Sequence, residues 1–432
     1  MNSYISNINE NELLTELKTL RRMFHKNPEI GFNEFWTTAR ICEYLDKLNC
    51  TLLYGNSLYD NFSEPELLKS WSDKAYKSAK ERYDNDEWIS KLGGRTGLVA
   101  IIQGKEAGPE IGFRFDIDGL PIQESSENSH TPYAEGFNSI NENMHACGHD
   151  GHITIGLGLA KILANNTEQL KGKYYLMFQP AEEVILGGKV FSKLNFIKDL
   201  DYLFPIHVGL IGERKVVCGV SFLADKRYIV LFKGRSSHAG AKPEEGRNAL
   251  LAACNAATNL YGISRHSGGA SRINIGEFTS NNASNIISDK AQFELDLRGE
   301  TNEICEYLKY HAQNIINGAS IMNNVESEMI FLAEAETANN SIELISEVRK
   351  ACLDIGMESD AIIDNYLVPG SEDATFIMNE VIRNGGLSTY IGVGSPTFGG
   401  HHNEQFDFDE DILPKGVNLL YQLSKNVTNI YN

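Results

Sequence analysis

Short apolar runs recur through the first half of the chain, and they predict the buried strands of an α/β sheet. Four such runs occupy residues 97–102, 111–115, 174–178 and 202–206. An apolar pattern with helical spacing covers residues 153–163, between the second run and the third. Because strands that alternate with helices are typical of α/β proteins, we expect a mixed sheet covered by helices.

Side chains capable of chemistry follow three of these runs directly. Asp116 and Asp118 follow the second run, Glu182 and Glu183 follow the third, and His207 follows the fourth. Ligands in open α/β sheets bind beyond the carboxyl ends of the strands. We therefore expect these five residues to meet at one edge of the sheet.

The N-terminal part of the chain predicts helices. Residues 11–48 have the pattern of two helices with a break near 28–31, the second covering 34–48. Residues 56–92 are rich in Lys, Glu and Asp. We interpret them as a solvated amphipathic helix with aromatic anchors rather than as a binding arm. Those anchors are Trp71, Tyr76, Tyr83 and Trp88.

The pattern changes between residues 221 and 333, where strands and helices follow in the order βαββαβ. That order is the ferredoxin-like split motif, which forms a small domain of its own. A short strand near 389–393 returns to the first sheet. We predict a discontinuous α/β catalytic domain of 1–220 and 334–432, with a ferredoxin-like domain of 221–333 inserted into it. The predicted elements of the insertion are strands at 228–233, 272–278, 292–298 and 328–332 and helices at 249–261 and 303–316.

Composition narrows the class of protein. A chain of 432 residues is long enough for two domains. Its formal charge of −19 argues against nucleic acid and anionic membranes as partners, although a local basic pocket can still bind an anionic substrate. No apolar run reaches the roughly 18 residues of a membrane span, and no secretory signal is visible at the start. Seven scattered cysteines favour reduced thiols, so we expect a cytoplasmic protein.

The segment 145–152 (His-Ala-Cys-Gly-His-Asp-Gly-His) holds one thiol, three imidazoles and one carboxylate. Such a cluster could be an accidental surface run, but Cys147 and His149 offer the donors that zinc and its neighbours prefer. Glu182-Glu183 adds two carboxylates, one to coordinate and one to move protons. His207, if considered without the other donors, could be a histidine of the hydrophobic core.

The donors exceed what a single tetrahedral ion can use. His401 and His402 follow two glycines in a loop that is flexible enough to close a site from a distant segment. We therefore expect two ions that share a bridging ligand. Asp118, which could instead be a simple strand-end cap, is the candidate for orienting a ligating histidine.

These motifs resemble the aminoacylase/carboxypeptidase group of dinuclear-metal amidohydrolases, whose hippurate hydrolase and indole-acetyl-amino-acid hydrolase branch shares the Cys-Gly-His-Asp site. The resemblance extends over nearly the whole chain. Further stretches resemble the branch that acts on p-aminobenzoyl-glutamate. The stretches that carry the resemblance are 21–34, 116–121, 145–152, 179–183, 206–208 and 237–240, with 239–244, 269–272, 370–375 and 400–410 for the p-aminobenzoyl-glutamate branch.

The resemblance implies a site and an activity. It implies two divalent ions per chain, Mn²⁺ or Zn²⁺, with Glu182 as the general acid and base. The implied metal ligands are Cys147, His149, Glu183, His207 and one C-terminal histidine, for which His402 fits the family pattern of His-Asn followed by Phe.

The resemblance also assigns the inserted domain the roles of lid and homodimer contact. His238 would reach the partner's active site and stabilise an oxyanion. Asn285 and Arg298 would bind the terminal carboxylate of the substrate. One departure is Asp116-Ile117-Asp118, where many members have His-x-Asp. Cys147 also stands where a bridging Asp would be, and a thiolate bridge is softer.

The leading hypothesis is hydrolysis of an acyl- or aroyl-amino-acid amide, with p-aminobenzoyl-glutamate as the first candidate substrate. The same site could instead take hippurate, other N-acyl amino acids or dipeptides. A cysteine hydrolase that uses Cys147 is a different class of enzyme, but a catalytic thiol needs one base rather than four further ligands. A non-catalytic partner chain is the third possibility, since enzymes of this branch pair two related chains.

Overall fold

The computed structural model describes residues 10–62, 69–83 and 86–431. The fold is a mixed α/β fold that divides into two compact units. The first unit comprises Met1–Ser221, Ala338–Val368 and Asp373–Asn432, and the second comprises Phe222–Thr337 and Pro369–Glu372.

Helices and strands alternate along most of the described chain. The helices are α1 (Glu10–His25), α2 (Phe35–Asp46), α3 (Gly55–Tyr59), α4 (Asp73–Arg82), α5 (Glu87–Lys91), α6 (Thr131–Ala134), α7 (His149–Asn165), α8 (Gly187–Phe191), α9 (Ala249–Leu260), α10 (Asn302–Asn323), α11 (Ile342–Asp354), α12 (Ala374–Arg383) and α13 (Leu413–Ile430). Short 3₁₀ turns occupy Thr167–Gln169, Asn195–Asp199, Pro243–Glu245, Ser359–Ala361 and Glu410–Ile412. The strands are β1 (Thr51–Tyr54), β2 (Leu98–Gln103), β3 (Glu106–Asp116), β4 (Lys171–Gln179), β5 (Tyr202–Val208), β6 (Val216–Val217), β7 (Val220–Phe222), β8 (Ala224–Lys233), β9 (Ser271–Thr279), β10 (Lys290–Gly299), β11 (Glu326–Ala335), β12 (Ile362–Ile363), β13 (Tyr366–Val368), β14 (Leu387–Ser388), β15 (Ile391–Val393), β16 (Thr397–Phe398) and β17 (Asp407–Phe408).

The first unit is built on a mixed sheet with the strand order β1-β2-β4-β3-β5-β15-β6-β12. Strand β3 lies between β4 and β5 and is parallel to both, and β15 continues the parallel set beside β5. Their carboxyl ends therefore lie along one edge. Every residue of β5 is buried, as in strands that helices cover on both faces. The four apolar runs of the sequence form β2 to β5, as predicted.

Helix α7 is the central helix of this unit. It is buried from His149 to Leu163 apart from Lys161, and beyond its polar first turn it is mostly apolar. Phe115 and Phe178 pack against it at Gly156, where a Cβ would approach the Phe115 ring to 2.8 Å. Because α7 is wedged between the sheet and other helices, its first turn is fixed against the carboxyl edge of the sheet.

The second unit contains its own four-stranded antiparallel sheet with the order β11-β8-β10-β9. Along the chain its elements run β8, α9, β9, β10, α10, β11, which is the βαββαβ order. Apolar residues alternate along β10, where Phe293, Leu295 and Leu297 are buried in a core shared with α9 and α10. Their neighbours Asp296 and Arg298 point to the other, polar face of the sheet.

Residues 56–92 differ from the single solvated helix that their sequence predicted. The described residues of this segment form three short helices, α3 to α5, and residues 63–68 and 84–85 lie outside the described chain. Trp71 is only 5% exposed and packs against Phe32 and Tyr59 with ring centroids 4.7 and 5.1 Å apart. The prediction was wrong because it treated the aromatic residues as the anchors of one helix, whereas Trp71 lies in a bend that joins the core. Among the described residues, no helix is both long and apolar enough to cross a membrane.

Candidate metal centre and active site

The carboxyl edge of the first sheet brings the predicted donors together. Asp116 ends β3, Glu182 and Glu183 follow β4, and His207 lies near the end of β5. Helix α7 begins at His149, after Gly148 in a left-handed conformation with φ +87°. A Cβ at Gly148 would lie 2.6 Å from the Val208 side chain, so only glycine fits this turn.

His149 presents one nitrogen to the site because its other nitrogen is already used. Its Nδ1 lies 2.9 Å from the Asp118 carbonyl and 3.2 Å from the Asp118 carboxylate. Its Nε2 is buried without a hydrogen-bond partner among the described residues, and so is Oε1 of Glu183, 3.8 Å away. Two facing polar atoms of this kind are costly to bury, unless a cation binds to both.

Cys147 is the centre of a second group of donors. Its Sγ lies 3.5 Å from Nε2 of His207 and 3.4 Å from Nδ1 of His401. The other nitrogen of each ring donates to a backbone carbonyl, His207 to Val208 at 2.7 Å and His401 to Gly209 at 3.0 Å. Both histidines therefore turn a lone pair toward the thiol, which is how ligating histidines are held.

These separations fit a tetrahedral metal site. With zinc bond lengths of about 2.3 Å to sulfur and about 2.05 Å to nitrogen, two donors on one tetrahedral ion lie about 3.5 Å apart. The groups Cys147–His207–His401 and Cys147–His149–Glu183 each place one donor atom per residue within 4.8 Å of one another. They share Cys147, so one thiolate can bridge two ions. The donor set therefore fits divalent metals.

His402 lies on the opposite side of the cluster from its neighbour. Its backbone, at φ +60°, donates a hydrogen bond to the Ala146 carbonyl. Its Nε2 is 3.3 Å from Oε2 of Glu183, and its side chain is 54% exposed. The C-terminal loop thus supplies one histidine beside the thiol and one beside the carboxylate.

His152, the third histidine of the motif, is fully engaged within the protein. Its Nδ1 contacts the Asp116 carboxylate, and its Nε2 accepts a hydrogen bond from the Val208 amide at 2.8 Å. Asp116 also accepts from Arg114 at 2.7 Å. With both nitrogens used, His152 holds β3 and β5 in register at the site and has no lone pair left for a metal.

The electrostatics of the site favour a cation. Burial lowers the pKa of His149, but the carboxylates of Asp116, Asp118 and Glu183 offset this effect and raise it to about 10. Burial also lowers the pKa values of His207 and His401, which keeps both rings neutral. Neutral imidazole is the form that binds metals.

A buried relay holds the loop that carries the two glutamates. Ala181 has a left-handed φ of +58°, and its amide donates to Oε1 of Glu34 at 2.8 Å. Oε2 of Glu34 accepts from the Thr96 hydroxyl at 2.8 Å, and that hydroxyl accepts from the Trp71 indole at 3.1 Å. Glu182 Oε2 then lies 3.8 Å from Nε2 of His149.

A second buried network fixes the start of α7. Asp150 accepts from Nε of Arg21 at 2.7 Å and from Nδ1 of His25 at 2.7 Å. Nε2 of His25 contacts Glu124 at 2.9 Å. Sequence reasoning did not assign roles to these residues, although Arg21, His25 and Glu34 lie in the quoted 21–34 motif.

Three predicted site residues lie in the second unit. His238 is exposed, and its Nδ1 accepts hydrogen bonds from the amides of Gly240 and Ala241 at 3.2 and 3.1 Å. Its Nε2 therefore carries the proton and can donate. The carbonyl of Asn285 accepts from the amide next to His238, that of Ala239, at 2.9 Å. Arg298 lies on the polar face of the sheet, paired with Asp296.

Comparison with known proteins shows the class of protein that this fold and site define. The model of peptidase family M20/M25/M40 matches residues 112–426. The chain therefore belongs to that family, and it is a hydrolytic enzyme of the amidohydrolase and peptidase type.

The chain is similar to several individual proteins over nearly its whole length. It is 38% identical over 417 residues to a homologue of one of the subunits of p-aminobenzoyl-glutamate hydrolase, from Haemophilus influenzae, covering 95% of this chain and 98% of the relative. It is 38% identical over 427 residues to an indole-3-acetyl-aspartic acid hydrolase from Enterobacter agglomerans, with coverage of 97% and 96%. The crystal structure of an aminobenzoyl-glutamate utilization protein from Klebsiella pneumoniae is 31% identical, with a TM-score of 0.75 and coverage of 96% and 97%.

Proposed function

We propose that the chain hydrolyses the amide bond of N-acyl or N-aroyl amino acids with the help of two divalent metal ions. The observation that carries the proposal is the pair of three-donor groups that share Cys147. The first candidate substrate is p-aminobenzoyl-glutamate. The names of the relatives support it, since both specify an acyl group joined to an acidic amino acid.

The two ions are assigned to different ligands. Cys147, His149 and Glu183 would hold the first ion, and His402, which contacts Glu183, would complete that set. Cys147, His207 and His401 would hold the second. Both groups contain imidazole and thiolate, which suit Zn²⁺, and the hard carboxylate of the first group also suits Mn²⁺.

The other residues of the proposed site have separate roles in catalysis. Divalent cations held there would polarise the scissile carbonyl and make water easier to deprotonate. Glu182 accepts the proton of the attacking water and passes it to the departing nitrogen. Asp118 fixes the tautomer of His149 through the contact at Nδ1. Because Nδ1 of His238 accepts from the backbone, its Nε2–H can donate to the developing oxyanion.

The second unit supplies the lid, the substrate carboxylate contacts and the homodimer interface in this proposal. Arg298 binds the carboxylate of the amino acid within its own copy. His238 and Asn285 lie together beyond the opposite end of β10, so they act on the partner copy, where Asn285 contacts the substrate carboxylate. The edge strands β9 and β11 support self-association, because they expose apolar side chains of a kind that edge strands usually avoid. Phe278 on β9 is 40% exposed, and Phe331 on β11 is 47% exposed.

The cysteines and the names of the relatives support a proposed cellular compartment and a proposed partner chain. The seven cysteines all lie in the described part of the chain and form no disulfide, which supports a reducing cytoplasm. A related second chain is the alternative to a homodimer, since the name of the Haemophilus influenzae relative refers to one component of a larger enzyme. Sedimentation of the purified chain tests the homodimer, which has twice the mass of the chain, whereas a monomer would favour the second chain.

The proposal is tested by following hydrolysis of p-aminobenzoyl-glutamate with metal-loaded protein. We expect turnover by the wild type and a loss of about 10²- to 10⁴-fold in Glu182→Gln, because general acid and base catalysis contributes about that factor. Glu168→Gln removes an exposed carboxylate that pairs with Lys105 and keeps wild-type turnover. Equal turnover in wild type and Glu182→Gln would contradict the mechanism.

Extending the assay to hippurate, other N-acyl amino acids and dipeptides tests the substrate class. Preference for the glutamate amide supports the first candidate, whereas faster cleavage of hippurate would favour the broader amidohydrolase.

A further inference from the structure

Two arginines face each other on the polar side of the second sheet. In the register of β9 and β10, Arg272 lies directly opposite Arg298. Like charges at opposed positions of adjacent strands destabilise a sheet, and side chains at such positions are about 5 Å apart at Cβ. Helices α9 and α10 pack against the other side of the sheet, so the two arginines lie on the side that these helices do not cover.

These arginines line a cavity of about 540 Å³ formed entirely by the second unit. Arg265 lines it as well, together with Asn274 and Asp296. The cavity thus holds three guanidinium groups and one carboxylate. In a chain with a formal charge of −19, such a local excess of positive charge is unusual.

The charges in this cavity are not balanced. Arg298 donates to both oxygens of Asp296, at 3.0 Å from Nε and 2.9 Å from Nη2. Within the described residues, no ion pair to a carboxylate within 4.0 Å involves Arg265 or Arg272, and Arg265 bonds only the Ser271 carbonyl, at 3.3 Å. Two of the three cations therefore have no neutralising carboxylate in the described part of the chain.

We propose that Arg272 and Arg265 bind the side-chain carboxylate of an acidic amino acid and thereby make the enzyme selective for amides of glutamate and aspartate. This inference rests on the proposed function, in which Arg298 binds the α-carboxylate. A dicarboxylate supplies the two negative charges that the cavity lacks. The spacing of opposed side chains suits two carboxylates joined by a short carbon chain, and the guanidinium group binds each in a bidentate manner.

The inference is tested with a pair of substrates that differ only in side-chain charge, p-aminobenzoyl-glutamate and p-aminobenzoyl-glutamine. We expect the wild type to prefer the glutamate amide by about tenfold or more in kcat/KM. Arg272→Gln should lower kcat/KM for the glutamate amide by about 10- to 100-fold, mainly through KM, because a hydrogen bond to a charged group contributes on that scale. Its effect on the glutamine amide should stay within about twofold, and Arg265→Gln should act in the same direction.

Two control variants distinguish recognition from a loss of folding. Arg272→Lys keeps the charge and should recover part of the preference, without the bidentate geometry. Lys309→Gln removes one positive charge from α10, where Lys309 pairs with Glu306 at 3.5 Å, and should leave both substrates unaffected. Equal losses for both substrates in Arg272→Gln, or a wild type that cleaves both equally well, would overturn the inference.

Calorimetric binding of both compounds to metal-loaded Glu182→Gln protein tests the cavity without turnover. Tighter binding of the glutamate compound that is lost in the Arg272→Gln background supports the inference. If no amide is hydrolysed but this difference in binding persists, the proposed hydrolysis fails and the anion site stands. If the amide is hydrolysed but the two compounds bind equally tightly, the proposed anion site is wrong and the proposed hydrolysis is not affected.

Discussion

At the scale of single residues, the site depends on which ring nitrogen of each histidine is already used. His149, His207 and His401 each give one nitrogen to a backbone carbonyl and leave the other for the site. His152 has both nitrogens engaged. The sequence can mark all four as donors, but only the fold distinguishes them. The partners of His149, His152 and His401 come from remote segments, and only His207 bonds to the next residue in the chain.

The adjacent histidines of the C-terminal loop are predicted to hold different ions. His401→Asn and His402→Asn should each reduce the metal content from two ions per chain to about one, because each removes a donor from a different group. Elemental analysis after dialysis measures this. Full metal content in His402→Asn would mean that His401 alone is the C-terminal ligand, and the reverse result would remove His401.

The raised pKa of the buried His25 should make the stability of the protein depend on pH. Burial and Arg21 lower the pKa of His25, but hydrogen bonds to Asp150 and Glu124 raise it, and the net value is about 9. A folded-state pKa above the unfolded value of about 6.5 means that the stabilisation is complete below pH 6.5 and is lost as pH rises through 9.

Urea unfolding of the wild type and of His25→Gln tests this dependence. The free energy of unfolding of the wild type should exceed that of the variant at about pH 6.5, and the difference should shrink by an amount on the order of 2 kcal/mol by about pH 9.5. A difference that stays constant over this range would contradict the assignment. Metal-free protein should be used throughout, so that metal binding does not shift the comparison.

At the scale of elements, the carboxyl ends of β3, β4 and β5 explain how far sequence reasoning could go. The apolar runs predicted these strands. Because the strands pair in parallel, the polar residues that follow them in the sequence lie at one edge of the sheet, as expected. The conformation of the loop after β4 could not be predicted in this way. Its left-handed Ala181 is held by Glu34, 147 residues earlier in the chain, and no local pattern reports that contact.

The relay from Trp71 to this loop is predicted to position Glu182. Thr96→Val keeps the shape of the side chain but removes the hydroxyl that joins the indole to Glu34. We expect kcat to fall roughly tenfold with KM nearly unchanged, because a misplaced catalytic group affects the chemical step. Thr96→Ser retains the hydroxyl and should restore most of kcat. Equal activity in the valine and serine variants would show that the relay has no influence on Glu182.

Residues 56–92 show why the pattern of charged and aromatic residues was insufficient to predict the local structure. Charge and aromatic spacing suggested one solvated helix, but tertiary contacts with Phe32 and Thr96 bury Trp71 between short helices. Helix propensity is a weak signal that packing overrides. Trp71 is therefore connected through Thr96 and Glu34 to the loop that carries Glu182 and Glu183, a connection that the composition of this segment does not reveal.

At the scale of the whole molecule, the candidate metal donors and the proposed anion site lie in different units. The first unit contains the metal donors, and the second contains the arginine-lined cavity. The βαββαβ order was readable from the sequence because apolar residues alternate cleanly along strands such as β10. The opposed pair of arginines was not, because strand register depends on pairing that the sequence does not display.

The most direct test of the account is the metal content of the purified chain after chelation and reloading, measured for wild type and Cys147→Ser. We expect two divalent ions per wild-type chain, and loss of both in the variant, because each group of donors depends on the same thiolate. Two ions per chain in Cys147→Ser, or none in the reloaded wild type, would contradict the shared-thiolate centre.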